Sequence, residues 1–161
     1  MASVSSPHLY ARLINESIRE RPPEMTVCIH LCRGNFRSAW VAEGGYDPIA
    51  EALFSELDVD GYFLEYDTPR AGDFAPLRLL PKGKMLVLGL VTTKTPELEP
   101  VDTLLRRIEA AARYVPLEQL AISPQCGFSS TVHGNEIGMA TQAAKLRLIV
   151  DVAALVWGAD L

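Results

Sequence analysis

The sequence predicts an α/β fold with a parallel sheet, and two observations lead to that class. Short apolar runs of strand length alternate along the chain with longer segments whose apolar residues recur at helical spacing. Such alternation is typical of parallel strands joined by right-handed crossovers. The chain has 161 residues, of which 48% are hydrophobic. That length and composition suit one domain, residues 1–161, with an ample core.

Four strands are predicted, at residues 25–31, 61–66, 85–91 and 119–123. The third strand, MLVLGLV, is almost entirely apolar, which is typical of a strand covered on both faces. The first strand follows ArgProPro at 21–23, which ends the helix before it. Four strands fit either a small open sheet or half of an eight-stranded β/α barrel, which needs about 250 residues when complete.

Four helices are predicted, at about residues 8–20, from Asp47-Pro48 onward, at 101–114 and at about 136–157. The apolar residues expected to face the core are Leu9, Leu13, Ile14 and Ile18; Ile49, Ala52, Leu53 and Leu57; Leu104, Leu105, Ile108 and Ala112; and Ala143, Leu146, Ile149, Val150, Ala153 and Val156.

Charge and composition exclude several classes of partner. The formal net charge of −5 and the pI of about 5.2 argue against nucleic acid, because phosphate binding needs a basic stripe. No apolar run reaches eighteen residues, so no membrane span is expected. The first residues, MASVSSPH, lack the features of a signal peptide. Three cysteines then indicate reduced thiols or metal ligands, and we expect a cytoplasmic protein.

Polar residues with the chemistry of metal ligands collect at the predicted strand ends. His30 and Cys32 close the first strand in VCIHLCRGN, Glu65 ends the second, and Cys126 follows the fourth. Because the carboxyl ends of parallel strands meet on one face, Cys32 and Cys126 can meet although they are 94 positions apart. Two cysteines, a histidine and a glutamate form a suitable tetrahedral set for Zn²⁺.

Other interpretations of these residues stay open at this point. The histidine and the cysteines could instead be small buried residues of the core. Glu65 could form a salt bridge with Arg70 or another nearby base. Cys28 lies four residues before Cys32, roughly 13 Å away along an extended strand, which is too far for the same ion. We therefore expect Cys28 to fill the core.

The motifs HLCRGN, GGYDPIAE, DGYFLEYD, GDFAPLR, LVLGLVTTK and AISPQCGF occur in this order. Together they resemble the C-terminal catalytic region of the cobalamin-independent methionine synthase family, and most closely its short single-barrel members. The similarity runs from about residue 9 to residue 157. It implies a TIM-type barrel of the uroporphyrinogen-decarboxylase-like kind, of which this chain carries about four strands, the C-terminal half.

The resemblance also implies a zinc-dependent methyltransferase that acts on a homocysteine-like thiol and gives methionine. It implies that the zinc ligands are His30, Cys32, Glu65 and Cys126. It also implies that the partners are a small-molecule thiol and a methyl donor. A thiol of pKa near 8.5 is mostly protonated at neutral pH, and zinc coordination removes that proton. We expect the histidine and the two cysteines to hold the ion and Glu65 to be the displaceable ligand.

Further residues in these motifs are candidates for the site. Lys94 occupies the position at which the long enzymes of the family carry a histidine. We expect Lys94 to act in catalysis with Glu65 by meeting an anionic substrate group, the alternative being a lysine that faces solvent. The residues expected to contact substrate are Arg33, Asn35, Asp67, Arg70, Ser123 and Gln125. The alternative for these residues is a role in loop structure and in support of the ligands.

A half barrel leaves two sheet edges and an apolar inner face without cover. We therefore expect either a homo-oligomer or a partner chain that supplies an N-terminal half. The alternative to an enzyme is a non-catalytic zinc-binding half barrel that completes a partner chain or associates with itself.

Overall fold

The computed structural model describes residues 6–158, and the strands in that range form one parallel sheet. The strands are β1 (Cys28–Leu31), β2 (Gly61–Glu65), β3 (Met85–Val91) and β4 (Leu120–Pro124). Their spatial order, β1-β2-β3-β4, is also their order in the chain. A doubly wound sheet reverses its strand order at a switch point, whereas a β/α barrel does not. The observed order is therefore that of a barrel.

Three α-helices flank the sheet. They are α1 (Ser6–Ile18), which precedes β1, α2 (Val101–Ala112), which joins β3 to β4, and α3 (Met139–Trp157), which follows β4. The predicted start of the last helix at residue 136 is wrong by three residues, because Gly138 has an extended backbone (φ −70°, ψ 156°) and caps the helix. None of the helices between residues 6 and 158 is long and apolar enough to cross a membrane.

The other two crossovers contain no α-helix of regular length. Between β1 and β2, the helix predicted from Asp47 begins as the 3₁₀ turn Asp47–Ile49 and continues into the π-helical segment Ala52–Glu56. Between β2 and β3 lie two further 3₁₀ segments, Pro69–Ala71 and Ala75–Leu79. The buried side chains of Leu53 and Phe54 still pack on the sheet, so these short turns cover the same face as the α-helices.

Within residues 6–158, the sheet is covered on one face only. Tyr62, Leu64, Leu86 and Leu88 point to the covered face and are fully buried in the core. The opposite face, which we call the bare face, carries three rows of residues in register. These are Cys28, Gly61 and Met85; His30, Phe63, Val87 and Ala121; and Glu65, Gly89 and Ser123. In a closed barrel this face lines the interior.

Burial on the bare face differs from the sequence prediction. Met85 is 41% exposed and Val87 is half-buried, so the start of β3 is not covered on both faces. Phe63 of the neighbouring β2 is 39% exposed. Cys28, expected in the core, is exposed as well. Alternation along β1 places Cys28 on the same side as His30, and that side has no covering layer among residues 6–158.

The predicted inward faces are correct for α2 and partly wrong for the other α-helices. Leu104 and Ile108 of α2 are buried. In α1 and α3 several residues expected to face inward are exposed, namely Leu9, Leu13, Ala143, Leu146 and Val150. Both helices carry apolar residues on more than one side, so spacing alone does not select the buried side. In α3 the fully buried residues are Lys145 and Val152.

Candidate metal centre

Strand geometry brings three ligand-type side chains together at the carboxyl end of the sheet. His30 lies in β1, Cys32 follows that strand, and Cys126 lies two residues beyond the end of β4. One ring nitrogen of His30 and the two Sγ atoms all lie within 4.8 Å of one another. Cys126 has a φ of 58°, in the left-handed region that residues other than glycine rarely adopt. Such strain typically concentrates at functional positions.

The spacing of these atoms suits a metal ion. Tetrahedral zinc with Zn–S near 2.3 Å and Zn–N near 2.1 Å holds its ligand atoms roughly 3.5–3.8 Å apart. The three side chains would need to approach one another by about 1 Å at most to reach that arrangement. Because His30 and Cys32 are exposed on the bare face, they do not fill the core.

Glu65 ends β2 beside this cluster, and its carboxylate is fully buried. Its Oε2 accepts hydrogen bonds from the backbone N–H of Arg33 at 2.7 Å and from Nε2 of Gln125 at 2.8 Å. Within residues 6–158, its Oε1 has no hydrogen-bond partner. Glu65 stands outside the 4.8 Å cluster, but it shares with His30 a small cavity that opens on the bare face. An unpaired buried oxygen beside three ligand-type side chains fits a fourth metal ligand.

The protein environment favours the neutral form of each of these groups. Partial desolvation of the ring, helped by the charge of Lys94, lowers the pKa of His30. Burial raises the pKa of Glu65, and the N–H of Arg33 opposes that rise. Burial and the neighbouring Cys32 thiol raise the pKa of Cys126 to about 12. A divalent cation would reverse the last two effects, because it favours carboxylate and thiolate.

Gln125 and Lys94 form a buried polar connection behind the ligands. Gln125 is 1% exposed, and its Nε2 donates to Oε2 of Glu65 and to Sγ of Cys126. Its Oε1 accepts a hydrogen bond from Nζ of Lys94. Nζ also lies 3.8 Å from Oδ2 of Asp67 and 5.2 Å from the centre of the Trp40 ring. Lys94 is 5% exposed, so the alternative of a lysine that faces solvent is wrong.

The other predicted site residues make mostly internal contacts. The guanidinium of Arg33 donates to the carbonyl of Gly44 and lies 4.0 Å from the centre of the Tyr46 ring. The Asn35 amide donates to Oγ of Ser130 at 3.1 Å. Ser123 lines the small cavity, and its Oγ lies 2.9 Å from the carbonyl oxygen of Pro124.

Arg70 does not pair with Glu65. Its guanidinium lies 3.2 Å from Oε2 of Glu43 and donates to the carbonyl of Ala42. The alternative interpretation of Glu65 as the partner of Arg70 is therefore wrong. Glu65 receives backbone and amide donors in place of a guanidinium.

Sequence reasoning missed the role of Tyr46. Its hydroxyl lies 3.1 Å from the carbonyl oxygens of both Leu31 and Glu65, and the side chain is fully buried. Tyr46 therefore bridges the ends of β1 and β2, from which His30 and Glu65 project. It lies in the motif GGYDPIAE, but no pattern within that motif indicates a contact with the strand ends.

Comparison with known proteins identifies the family. Residues 11–155 match the family described as "Cobalamin-independent synthase, Catalytic domain". The chain belongs to this family. Family membership confirms the resemblance inferred from the motifs.

Several members of the family are longer than this chain. YxjG and YxjH of Bacillus subtilis (strain 168) are 55% and 50% identical to it, over 150 and 152 residues. These alignments cover 92% and 94% of this chain and 40% of each relative. A methionine synthase from Pyrococcus abyssi is 29% identical over 104 residues, which are 65% of this chain and 27% of that protein. The chain thus spans about 40% of the length of its Bacillus relatives.

Solved structures in the family share the fold. A proposed vitamin-B12 independent methionine synthase from Listeria monocytogenes aligns with a TM-score of 0.70 and 34% identity, over 98% of this chain and 44% of that chain. A B12-independent methionine synthase from Shewanella sp. W3-18-1, solved with selenomethionine, aligns with a TM-score of 0.69 and 16% identity. That alignment covers 93% of this chain and 46% of the other. The four strands are therefore part of a TIM-type barrel, as predicted.

Proposed function

We propose that this chain binds Zn²⁺ and serves in the transfer of a methyl group to a small-molecule thiol, of which homocysteine, giving methionine, is the favoured example. One observation carries the proposal. The ligand atoms of His30, Cys32 and Cys126 lie within 4.8 Å of one another although the two cysteines are 94 positions apart. The family and its methionine synthase members support the reaction class.

The donor set is the reason for choosing zinc. His30, Cys32 and Cys126 offer one nitrogen and two sulfur atoms, and the free oxygen of Glu65 completes four. Zinc, when bound, supplies the positive charge that lowers the pKa of an acceptor thiol, so that the nucleophilic thiolate is available at neutral pH. The thiol proton leaves to solvent as the thiolate forms. A lone pair of the thiolate sulfur then forms the bond to the methyl carbon, and the bond from that carbon to its donor breaks, with its electron pair leaving on the donor.

The other residues bind and orient. The N–H groups of Arg33 and Gln125 hold Oε2 of Glu65, which leaves Oε1 free to act as the displaceable ligand. Of the residues predicted to contact substrate, we favour Ser123, because it lines the cavity that His30 and Glu65 share. The side chains of Gln125 and Asp67 are buried, which favours a supporting role for both of them.

The bare face supports a second proposal about partners. Phe63 and Met85 expose large apolar side chains there, and the outer edge of β1 pairs with no strand of residues 6–158. An apolar interior face without cover is unfavourable in water. We infer that a polypeptide supplying the remaining strands, either an N-terminal-half chain or a second copy, covers it. A non-catalytic half barrel that completes such a partner is the alternative to the enzyme.

Metal analysis of the purified protein tests the zinc site. The measurement needs reducing buffer, because the three cysteines form no disulfide among the described residues. Reduced thiols also fit the cytoplasm, which we propose as the location of the protein. We expect one zinc per chain in the wild type and in Cys28→Ser, whose thiol is exposed on the same face but outside the cluster. Cys126→Ser and His30→Ala should lose most of the metal. Equal zinc content in all four proteins would contradict the proposal.

Light scattering during size-exclusion chromatography tests the partner proposal. A dimer, or a complex with an added N-terminal-half chain, is expected. A stable monomer that binds no such chain would contradict closure by pairing. Methyl transfer to homocysteine, measured with and without the partner, then separates the enzyme from the non-catalytic alternative.

A further inference from the structure

Resting on the proposed zinc site, we infer that Lys94 is a positioning residue that acts through Gln125. The ammonium group of Lys94 fixes the orientation of the Gln125 amide. That amide supplies N–H donors to two of the proposed ligands, Glu65 and Cys126. Lys94 therefore controls how tightly the metal is held without touching it.

The chemistry of the amide explains why an orienting group is needed. A glutamine amide has an acceptor oxygen and a donor NH₂ of nearly the same shape, so either can point toward the ligands. An ammonium group only donates. Lys94 therefore requires Oε1 of Gln125 on its own side, which directs Nε2 toward Glu65 and Cys126. A reversed amide would place its oxygen against a carboxylate and a thiolate.

The backbone around this connection is fixed. The N–H of Gln125 donates to the carbonyl of Val91 at 2.8 Å, and its carbonyl accepts from Oγ1 of Thr93 at 2.7 Å. Thr93 is the residue before Lys94. These two bonds hold the ends of β3 and β4 together. They therefore fix the backbone positions from which the Lys94 and Gln125 side chains meet.

The charge of Lys94 is balanced inside the protein. The side chains of Lys94 and Asp67 are both fully buried, with 3.8 Å between Nζ and Oδ2. Removing one member of a buried pair leaves the other charge uncompensated and strongly destabilises the fold. A test of Lys94 must therefore neutralise both residues at once and compare that double variant with the wild type.

The donors from Gln125 matter because the ligands bind a metal in their charged forms. Hydrogen bonds to a carboxylate or a thiolate favour those forms and fix their direction. Loss of such a contact behind a metal ligand typically lowers metal affinity by about 10- to 100-fold. We expect metal affinity to fall in that range when the Gln125 amide is removed. We expect a similar fall when Lys94 no longer fixes the orientation of that amide.

Titration with Co²⁺ tests the inference, because the thiolate-to-cobalt absorption band reports on both affinity and ligand geometry. Gln125→Met should weaken Co²⁺ binding by about 10- to 100-fold. Lys94→Met combined with Asp67→Asn should weaken it in the same range relative to the wild type. A triple variant that carries Gln125→Met, Lys94→Met and Asp67→Asn should bind Co²⁺ no more weakly than Gln125→Met, because Lys94 acts only through the amide. Lys82→Met, on an exposed lysine, should leave binding unchanged.

Two results would overturn the inference while leaving the proposed function intact. One is a Lys94→Met, Asp67→Asn protein that binds Co²⁺ as tightly as the wild type. The other is a triple variant whose loss equals the product of the separate losses. A wild-type protein that binds no Co²⁺ contradicts the proposed function itself, and the inference with it.

A measurement on the wild type covers the case in which a variant does not fold. In NMR spectra, the side-chain NH₂ resonances of Gln125 should be shifted from those of a solvent-exposed glutamine and slow to exchange with solvent. They should also move when Zn²⁺ is added. Resonances that exchange rapidly, or that do not respond to zinc, would contradict the contact between the amide and the ligands.

Discussion

Nε2 of Gln125 donates a 2.8 Å hydrogen bond to Oε2 of Glu65, while Oε1 of that carboxylate is buried with no partner among residues 6–158. A buried acceptor without a hydrogen bond costs about 1–3 kcal/mol. Polar groups left in this way in a native fold call for an explanation, and an ion is one of the accepted explanations. A cation bound at Oε1 would satisfy the free oxygen and use the side of the carboxylate that faces the cavity.

Glu65→Gln should separate metal binding from stability. The substitution keeps the shape of the side chain and removes its buried charge. In EDTA we expect the free energy of unfolding to rise by about 1 kcal/mol, because burial no longer opposes an ionised group. Zinc affinity, measured by competition with a chelating dye, should fall at least tenfold. A variant that keeps wild-type zinc affinity would show that Glu65 is not a ligand.

The raised pKa of Cys126 predicts its reactivity in chelator-treated protein. With a pKa of about 12, the Cys126 thiol is almost wholly protonated at pH 8, and only the thiolate reacts with iodoacetamide. Cys28 is exposed and should be labelled first, as measured by mass spectrometry of the peptides. Labelling of Cys126 should accelerate as the pH rises toward 10. In urea the two cysteines should react at similar rates, and equal rates in the folded protein would contradict the prediction.

Tyr46→Phe should weaken both the fold and the metal site. The hydroxyl of Tyr46 lies 3.1 Å from the carbonyl oxygens of Leu31 and Glu65. Its loss removes the one O–H donor that these two carbonyls share, so we expect the free energy of unfolding to fall by about 1–3 kcal/mol. Zinc affinity should fall as well, because the ends of β1 and β2 lose their bridge.

The matched control for Tyr46 is Tyr62→Phe. The Tyr62 hydroxyl is 3.5 Å from the carbonyl of Leu57, at the limit of a hydrogen bond, and it is remote from the ligands. That variant should lose less than about 1 kcal/mol and keep its zinc. If the two variants lose zinc equally, the bridge does not position the site.

Lys145→Met should destabilise the protein strongly. Nζ of Lys145 is fully buried and bonds the carbonyl of Glu97 and, at 3.1 Å, Oε2 of Glu99. The other oxygen of Glu99 accepts from the N–H of Thr92 at 2.8 Å. Breaking such a pair costs about 3–5 kcal/mol, which urea unfolding would measure. A loss below about 1 kcal/mol, like that expected for the exposed Arg147→Met, would contradict this role.

The strands and the meeting of the three ligand-type side chains were predictable from sequence because each depends on a short pattern. MLVLGLV predicts β3 with its observed ends, and polar residues at strand ends predict where His30, Cys32 and Cys126 meet. The strand ends converge in any parallel β/α fold, so no tertiary detail is needed for that inference.

Contacts between distant side chains were not predictable. Nothing near Lys94 indicates that it bonds Gln125, because the two residues belong to different loops that β3 and β4 bring together. The inward face of α3 was also missed, since it buries Lys145 while apolar residues such as Val150 stay exposed. Cys28 was misplaced for a related reason. It lies on the bare face, which residues 6–158 leave uncovered, and the strand pattern alone does not tell a covered face from an uncovered one.

X-ray absorption at the zinc edge tests the central claim most directly. We expect zinc-loaded protein to show two sulfur ligands at about 2.3 Å together with nitrogen and oxygen ligands. Addition of homocysteine should raise the sulfur count to three, because the thiol takes the place of Glu65. Fewer than two sulfur ligands in the zinc-loaded protein, or a count that does not change with the thiol, would contradict the account.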